Sequence, residues 1–246
     1  IMEYMALLLN KLQTKGILMC MFNIKKFIIG RKYEDMRTSR IGLEGANNLC
    51  SPDNNDVMEP AIKNPGYKLP DDVTKTKYAQ DVWGLMLSYI QMFDSDQEKV
   101  IIRNSEIGSD GNYNNKLMAI YITELFDPLI KVLEEGVRVN VKNVEVDDGP
   151  KTKQHKIIDL TIARFVHLLL LDIANQDVVN RPTSAQIASL LHDVVDKVNS
   201  WGNDSLESFS AENFQSKCFD QLAEHSSNKL SINNGGLNLV YKPVQE

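Results

Sequence analysis

Residues 75–93 have the sequence KTKYAQDVWGLMLSYIQMF and carry apolar side chains on nearly every side of the helix that they would form. These apolar residues are Val82, Trp83, Leu85, Met86, Leu87, Tyr89, Ile90 and Met92. A helix that is apolar all round is a buried helix, because no face of it suits water. We therefore predict that residues 75–93 form the central helix of a mainly α domain, in which Trp83 and the methionines serve in packing.

The flanking sequence has the spacing of further amphipathic helices. We predict these helices over residues 2–12, 116–135, 155–172 and 183–198. Gly16 is placed to end the first of them. Pro128 is expected to divide the second and Gly136 to end it. Either Thr183 or Ser184 can cap the last.

Extended structure is predicted in fewer places. Residues 26–30 and 38–43 flank a polar stretch and suit a small two-stranded β ribbon. Alternating valines within residues 137–156 suit a short hairpin or an extended strand. In the tail, residues 211–224 are a candidate helix, and Asn233-Asn234-Gly235-Gly236 is typical of a turn.

The composition excludes several classes of protein. The chain has 246 residues and a net charge of −6, with 43% hydrophobic and 24% charged residues, which is ordinary for a globular domain. An acidic balance argues against a general nucleic-acid-binding surface, which would be basic. The longest apolar runs, such as residues 165–171, are far shorter than the about 20 residues that cross a bilayer. We predict no nucleic-acid binding and no membrane insertion.

The cysteines and histidines do not form a recognisable metal-binding or redox motif. The three cysteines, Cys20, Cys50 and Cys218, form no C-x-x-C unit. The four histidines have no ligand spacing among themselves or with the cysteines. We expect reduced thiols in an intracellular protein, with the cytoplasm favoured, and no metal ion or cofactor.

Residues 12–30, LQTKGILMCMFNIKKFIIG, resemble the end of the long helix, the catalytic loop and the following strand in the C-lobe of a protein kinase. Lys15-Gly16-Ile17-Leu18 stands where kinases have Lys-Gly-Ile-Val. In that alignment Met21 occupies the position of the catalytic aspartate, and Lys26 occupies that of the metal-binding asparagine. Both side chains have lost the chemistry of the family.

A second stretch, residues 37–44 with the sequence RTSRIGLE, resembles the Asp-Phe-Gly segment of kinases. Gly42 aligns with the glycine, and Arg40 aligns with the aspartate that binds magnesium. Three later stretches resemble structural parts of the C-lobe and follow in the family's order. They are Asp81-Val82-Trp83-Gly84 in the central helix, residues 126–138, and Asn180-Arg181-Pro182-Thr183 before the last helix.

The resemblance implies a kinase-like C-lobe with a small β ribbon over residues 1–198, and the N-lobe is absent from this chain. Residues 94–125 and 140–156 are expected to be insertions, and residues 199–246 form an extension outside the resemblance. Additions of this kind tend to lie outside a core, so we expect them to carry the binding surface.

Asp81, Trp83 and Arg181 are the structural anchors that the resemblance implies. The Asp81 carboxylate would accept hydrogen bonds from the backbone near Met19 and Cys20; alternatively, it caps a helix start. Arg181 is either a buried anchor or an exposed arginine before a helix. Its usual glutamate partner is replaced by glycine in the best alignment, at Pro65-Gly66, although Glu59 remains an alternative partner.

With Met21, Lys26 and Arg40 at these positions, we predict a catalytically inactive, pseudokinase-like domain that acts as a protein-binding scaffold or regulatory module. Lys26 and Arg40 are expected to be exposed cations without a ligand; alternatively, the two together could hold an anion. One alternative is an atypical kinase with its N-lobe in a further segment and its acidic groups elsewhere, such as Asp35 or Glu44. Another is a structural subunit of a large assembly.

Overall fold

The computed structural model describes residues 1–19, 27–30, 40–43, 49, 77–94, 96, 99, 115–142, 150–175, 181–203, 230–233 and 236–239. Long helices dominate those ranges, so the prediction of a mainly α chain is confirmed for the described part. The helices are α1 (Met2–Gln13), α2 (Lys77–Phe93), α3 (Asn115–Lys142), α4 (Pro150–Asn175) and α5 (Ser184–Asn203). The candidate helix at residues 211–224 lies outside the described residues.

Two antiparallel strand pairs accompany the helices. Strand β1 (Phe27–Gly30) pairs with β2 (Arg40–Leu43), and Gly30 lies opposite Arg40 in this pair. Strand β3 (Leu230–Asn233) pairs with β4 (Gly236–Leu239), and Asn233 lies opposite Gly236. The two central residues of the turn predicted between β3 and β4 lie outside the described residues.

The described residues belong to two compact units. The first unit comprises residues 1–119 and 173–188. Its centre is α2, which is buried on all sides from Gln80 to Gln91, as its apolar sequence predicted. Helix α1 packs on α2 through an apolar stripe that contains Met5, Ala6 and Leu9.

Two hydrogen bonds fix the direction of α1 against α2. The Tyr89 hydroxyl donates to the Met2 carbonyl at 2.8 Å, and the Gln13 side-chain amide donates to the Tyr78 carbonyl at 3.1 Å. The start of α1 therefore lies beside the end of α2, and the two helices are antiparallel. Burial raises the pKa of the Tyr89 hydroxyl well above its ordinary value, so this group stays a neutral donor.

Helix α1 ends at the glycine that was predicted to stop it. Gly16 has φ +67°, a conformation that glycine adopts without the steric cost of a Cβ atom. The Gly16 and Ile17 amides donate to the carbonyls of Gln13 and Leu12, each at 2.9 Å. This is the Schellman pattern of helix termination. It redirects the chain after α1 toward the start of α2.

The second unit comprises residues 120–172 and 189–246. Helices α3 and α4 meet within it through a stack between Phe126 and His167 and an ion pair between Glu134 and Arg164. Apolar residues of α4 are buried from Ile158 onward. Among the residues that the structure describes, none of the helices combines the length and the apolar content needed to cross a bilayer.

Three local predictions for this region were wrong. Helix α3 continues through both Pro128 and Gly136 and includes Val137, Val139 and Val141, which had suggested a strand. The other two alternating valines, Val144 and Val146, lie outside the described residues. A proline inside a helix costs one hydrogen bond and about 3 kcal/mol, and the burial of apolar residues such as Phe126 on the same helix offsets that cost. Helix α4 begins at Pro150, since proline fits the first turn of a helix, so residues 150–156 are helical as well.

Candidate functional site

The candidate site consists of the positions that resemble the catalytic and metal-binding residues of kinases. Most of these positions lie outside the described residues. This holds for Met21 and Lys26, and for the alternative acidic groups Asp35 and Glu44. Arg40 is described in its backbone, as the first residue of β2 opposite Gly30. The described part of the site is the set of anchors that the resemblance implied, Asp81, Trp83 and Arg181.

The first anchor is Asp81, whose Oδ2 atom accepts a hydrogen bond from the Met19 backbone amide at 2.9 Å. Both residues are buried, with 2% of Asp81 and 3% of Met19 exposed. A buried carboxylate needs donors because desolvation penalises its charge. The contact joins residues 62 positions apart and lies where the resemblance implied that it would.

Asp81 does not cap the start of its helix. Helix α2 begins at Lys77, so Asp81 lies in the second turn rather than at the first residue. Its hydrogen bond to Met19 reaches another segment of the chain. The alternative interpretation of Asp81 as a helix cap is therefore wrong.

The anchor holds the chain just before Met21. The glycine turn at Gly16 redirects the backbone after α1, and the Asp81 carboxylate holds Met19 three residues later. Leu18 and Met19 are both buried between these two points. The stretch that precedes Met21 and Lys26 is therefore fixed to the central helix of the first unit.

The second anchor is Arg181, which is 6% exposed. Its Nη1 atom donates to the Ala79 carbonyl at 3.0 Å, and its guanidinium carbon lies 4.8 Å from the centroid of the buried Trp83 ring. A planar cation over an indole face is attracted by the ring quadrupole, most strongly where water is excluded. The interpretation of Arg181 as an exposed arginine is wrong. The proposed glutamate alternative, Glu59, and Pro65-Gly66 lie outside the described residues.

A polar contact that the sequence did not reveal lies beside these anchors. The Ser184 hydroxyl donates to the Gln13 side-chain oxygen at 2.5 Å, while the Gln13 amide donates to the Tyr78 carbonyl. One glutamine thus joins the end of α1, the start of α2 and the start of α5. Gln13 follows Met5 and Leu9 at intervals of four, so a polar residue on a buried stripe was the available sign.

Thr183 caps the helix that follows Arg181. The Gln186 amide donates to the Thr183 hydroxyl at 3.2 Å, and the Thr183 amide donates to the Gln186 side-chain oxygen at 2.9 Å. This reciprocal pair is a capping box. Of the two caps that the sequence allowed, Thr183 is the one used, and it holds the backbone two residues after Arg181.

The described anchors provide position and packing. Within the described ranges, no three His, Cys, Asp or Glu side chains gather as a metal site requires. The charged anchors Asp81 and Arg181 are both directed at backbone groups of their own unit. These contacts join distant segments of that unit.

Comparison with protein-family models, with curated proteins and with solved structures finds no match for this chain.

Proposed function

We propose that this chain is a pseudokinase-like domain, built as a kinase C-lobe without phosphotransfer chemistry, and that it acts by binding other proteins. One observation carries the proposal: the Asp81 carboxylate accepts the hydrogen bond from Met19, two residues before the position of the lost catalytic aspartate. A chance match of short motifs would not require that contact between two distant segments. The burial of Arg181 against Trp83 supports the same alignment.

The residues at the three aligned positions oppose catalysis. Phosphoryl transfer needs a carboxylate to position the acceptor hydroxyl, and it needs metal ions to neutralise the phosphates. The Met21 thioether is only a weak acceptor and carries no charge. Magnesium requires oxygen ligands, whereas Lys26 and Arg40 offer cations. Two unit positive charges about 4 Å from a divalent ion would repel it by several kcal/mol at an effective dielectric of about 20.

A metal-binding variant tests the alignment. The double substitution Lys26→Asn and Arg40→Asp would return oxygen ligands to both positions, so we expect it to bind Mn²⁺ more tightly than the wild type, measured by water proton relaxation. The matched control is Lys11→Asn with Lys15→Asp, which makes the same change in net charge at two exposed lysines. Equal Mn²⁺ binding by the variant and the control would contradict the proposed positions of Lys26 and Arg40.

The proposed protein-binding surface lies on the additions to the family pattern, at residues 94–125, 140–156 and after Trp201. In the first of these, Leu117 and Ile120 of α3 are 47% and 53% exposed. Burial of exposed apolar side chains by a partner is favourable, because it removes apolar surface from water. Among the described residues of the proposed surface, Leu117 and Ile120 are two exposed large apolar side chains.

Point substitutions suit this test better than deletions, because α3 and α4 begin inside the two insertions. We expect Leu117→Glu with Ile120→Glu to reduce recovery of bound proteins in affinity capture from the source cells. Val132→Glu is the control, since Val132 is 70% exposed on the same helix but outside the proposed surface. Unchanged recovery with the double variant, or equal loss with the control, would refute the assignment.

A further inference from the structure

His167 occupies an unusual position between α3 and α4 in the second unit. Its ring stacks on Phe126, with the centroids 5.4 Å apart and the planes within 2° of parallel. Phe126 is fully buried, and His167 is partly buried. The Nε2 atom of His167 is buried and has no hydrogen-bond partner among the described residues. An imidazole that packs as a flat ring here is suited to its neutral form.

The charged groups around His167 are few. On α3, the exposed Asp127 follows Phe126 and favours the protonated ring. On α4, Arg164 lies three residues before His167 and is paired with Glu134, and Asp172 lies five residues beyond it. Burial lowers the pKa of His167 below its ordinary value of 6.5, and the attraction of Asp127 opposes this shift only in part.

We propose that His167 makes the packing of α3 on α4 sensitive to acid: protonation places a positive charge at the buried Nε2 atom, where no described group accepts its proton, and this loosens the two helices. This acid sensitivity of the packing is independent of the proposed binding function. It depends on the stacking geometry and on the unpaired buried nitrogen, and it acts within the second unit alone.

The sign of the pH dependence follows from proton linkage. An unfolded chain has His167 in water with an ordinary pKa of 6.5, while in the folded chain the pKa is lower. Between these two values the unfolded chain binds more protons, so the stability falls as the pH falls through that window. Well above pH 6.5 this contribution is constant, because the ring is then neutral in both states.

The test compares urea unfolding of the full chain from about pH 5 to about pH 8 with that of His167→Phe. Phenylalanine keeps the flat ring and removes the buried nitrogen. We expect His167→Phe to be more stable than the wild type at neutral pH, with an unfolding equilibrium constant about tenfold lower, because an unpaired buried polar atom costs about that much. The variant should also lose less stability on acidification. His192→Gln, at an exposed histidine of α5, should behave as the wild type does. Parallel pH profiles for the wild type and His167→Phe would overturn the proposal.

A second measurement needs no folded variant. An NMR titration of the wild-type chain should place the midpoint of the His167 ring below 6.5, with the Phe126 ring resonances shifting at the same midpoint. A midpoint at or above that value, or Phe126 resonances that do not follow His167, would overturn the proposal.

Discussion

Removal of the Asp81 carboxylate should release the Met19 backbone from α2. A hydrogen bond to a charged group contributes about 1.5–3 kcal/mol, and its loss here also leaves a buried amide without this acceptor. We therefore expect Asp81→Ala to lower the free energy of unfolding by about 3 kcal/mol. Asp81→Asn keeps an oxygen acceptor without the charge, so it should cost about half as much, since charge-assisted bonds are about twice as strong as neutral ones.

Amide hydrogen exchange at Met19 reports this contact locally, and urea unfolding followed by tryptophan fluorescence reports it globally. A loss of about 3 kcal/mol corresponds to exchange faster by about two orders of magnitude. Asp159→Ala is a matched control, because Asp159 is exposed on α4, and it should change stability by less than about 0.5 kcal/mol. If Met19 exchanges at the same rate in Asp81→Ala and in the wild type, the anchoring role of Asp81 is wrong.

Two further predictions concern the segment before α5. In a double-mutant cycle between Arg181→Met and Trp83→Leu, urea unfolding should give a coupling energy of about 1 kcal/mol or more, because the cation lies over a buried ring. A coupling near zero would show that the stack contributes nothing. Thr183→Ala should lower the free energy of unfolding by about 1 kcal/mol and Tm by about 2–4 °C, because it removes the cap. Thr183→Ser should retain the cap. Equal Tm values for the two variants would contradict the capping role.

The features that the sequence predicted correctly depend on local chemistry. The apolar composition of α2 required burial whatever packed around it, and Gly16 could end α1 because only its own conformation was involved. Thr183 and Ser184 were both possible caps. Thr183 is the one used, because Gln186 lies three residues after it, as a capping box requires. The contact between Asp81 and Met19 was implied by resemblance alone, since nothing in composition or spacing joins those two segments.

The errors came from positions at which packing outweighed local preference. Pro128 and Gly136 both suggested a break, yet α3 passes through them and ends at Lys142. Valines favour strands only weakly, and their preference changes with the surroundings. The partners of Gln13 and Arg181 could likewise not be predicted from the sequence, because Ser184 and Ala79 come close to them only in the folded chain.

The loss of catalysis is tested most directly by transfer of labelled phosphate from ATP to a protein substrate, measured with the full chain in Mg²⁺ or Mn²⁺. With Met21, Lys26 and Arg40 in place of the catalytic and metal-binding groups, we expect no transfer above that of a sample without the protein. Metal-dependent transfer that rises in proportion to the chain's concentration and is lost in Asp35→Asn or Glu44→Gln would contradict the proposal and identify an atypical kinase instead.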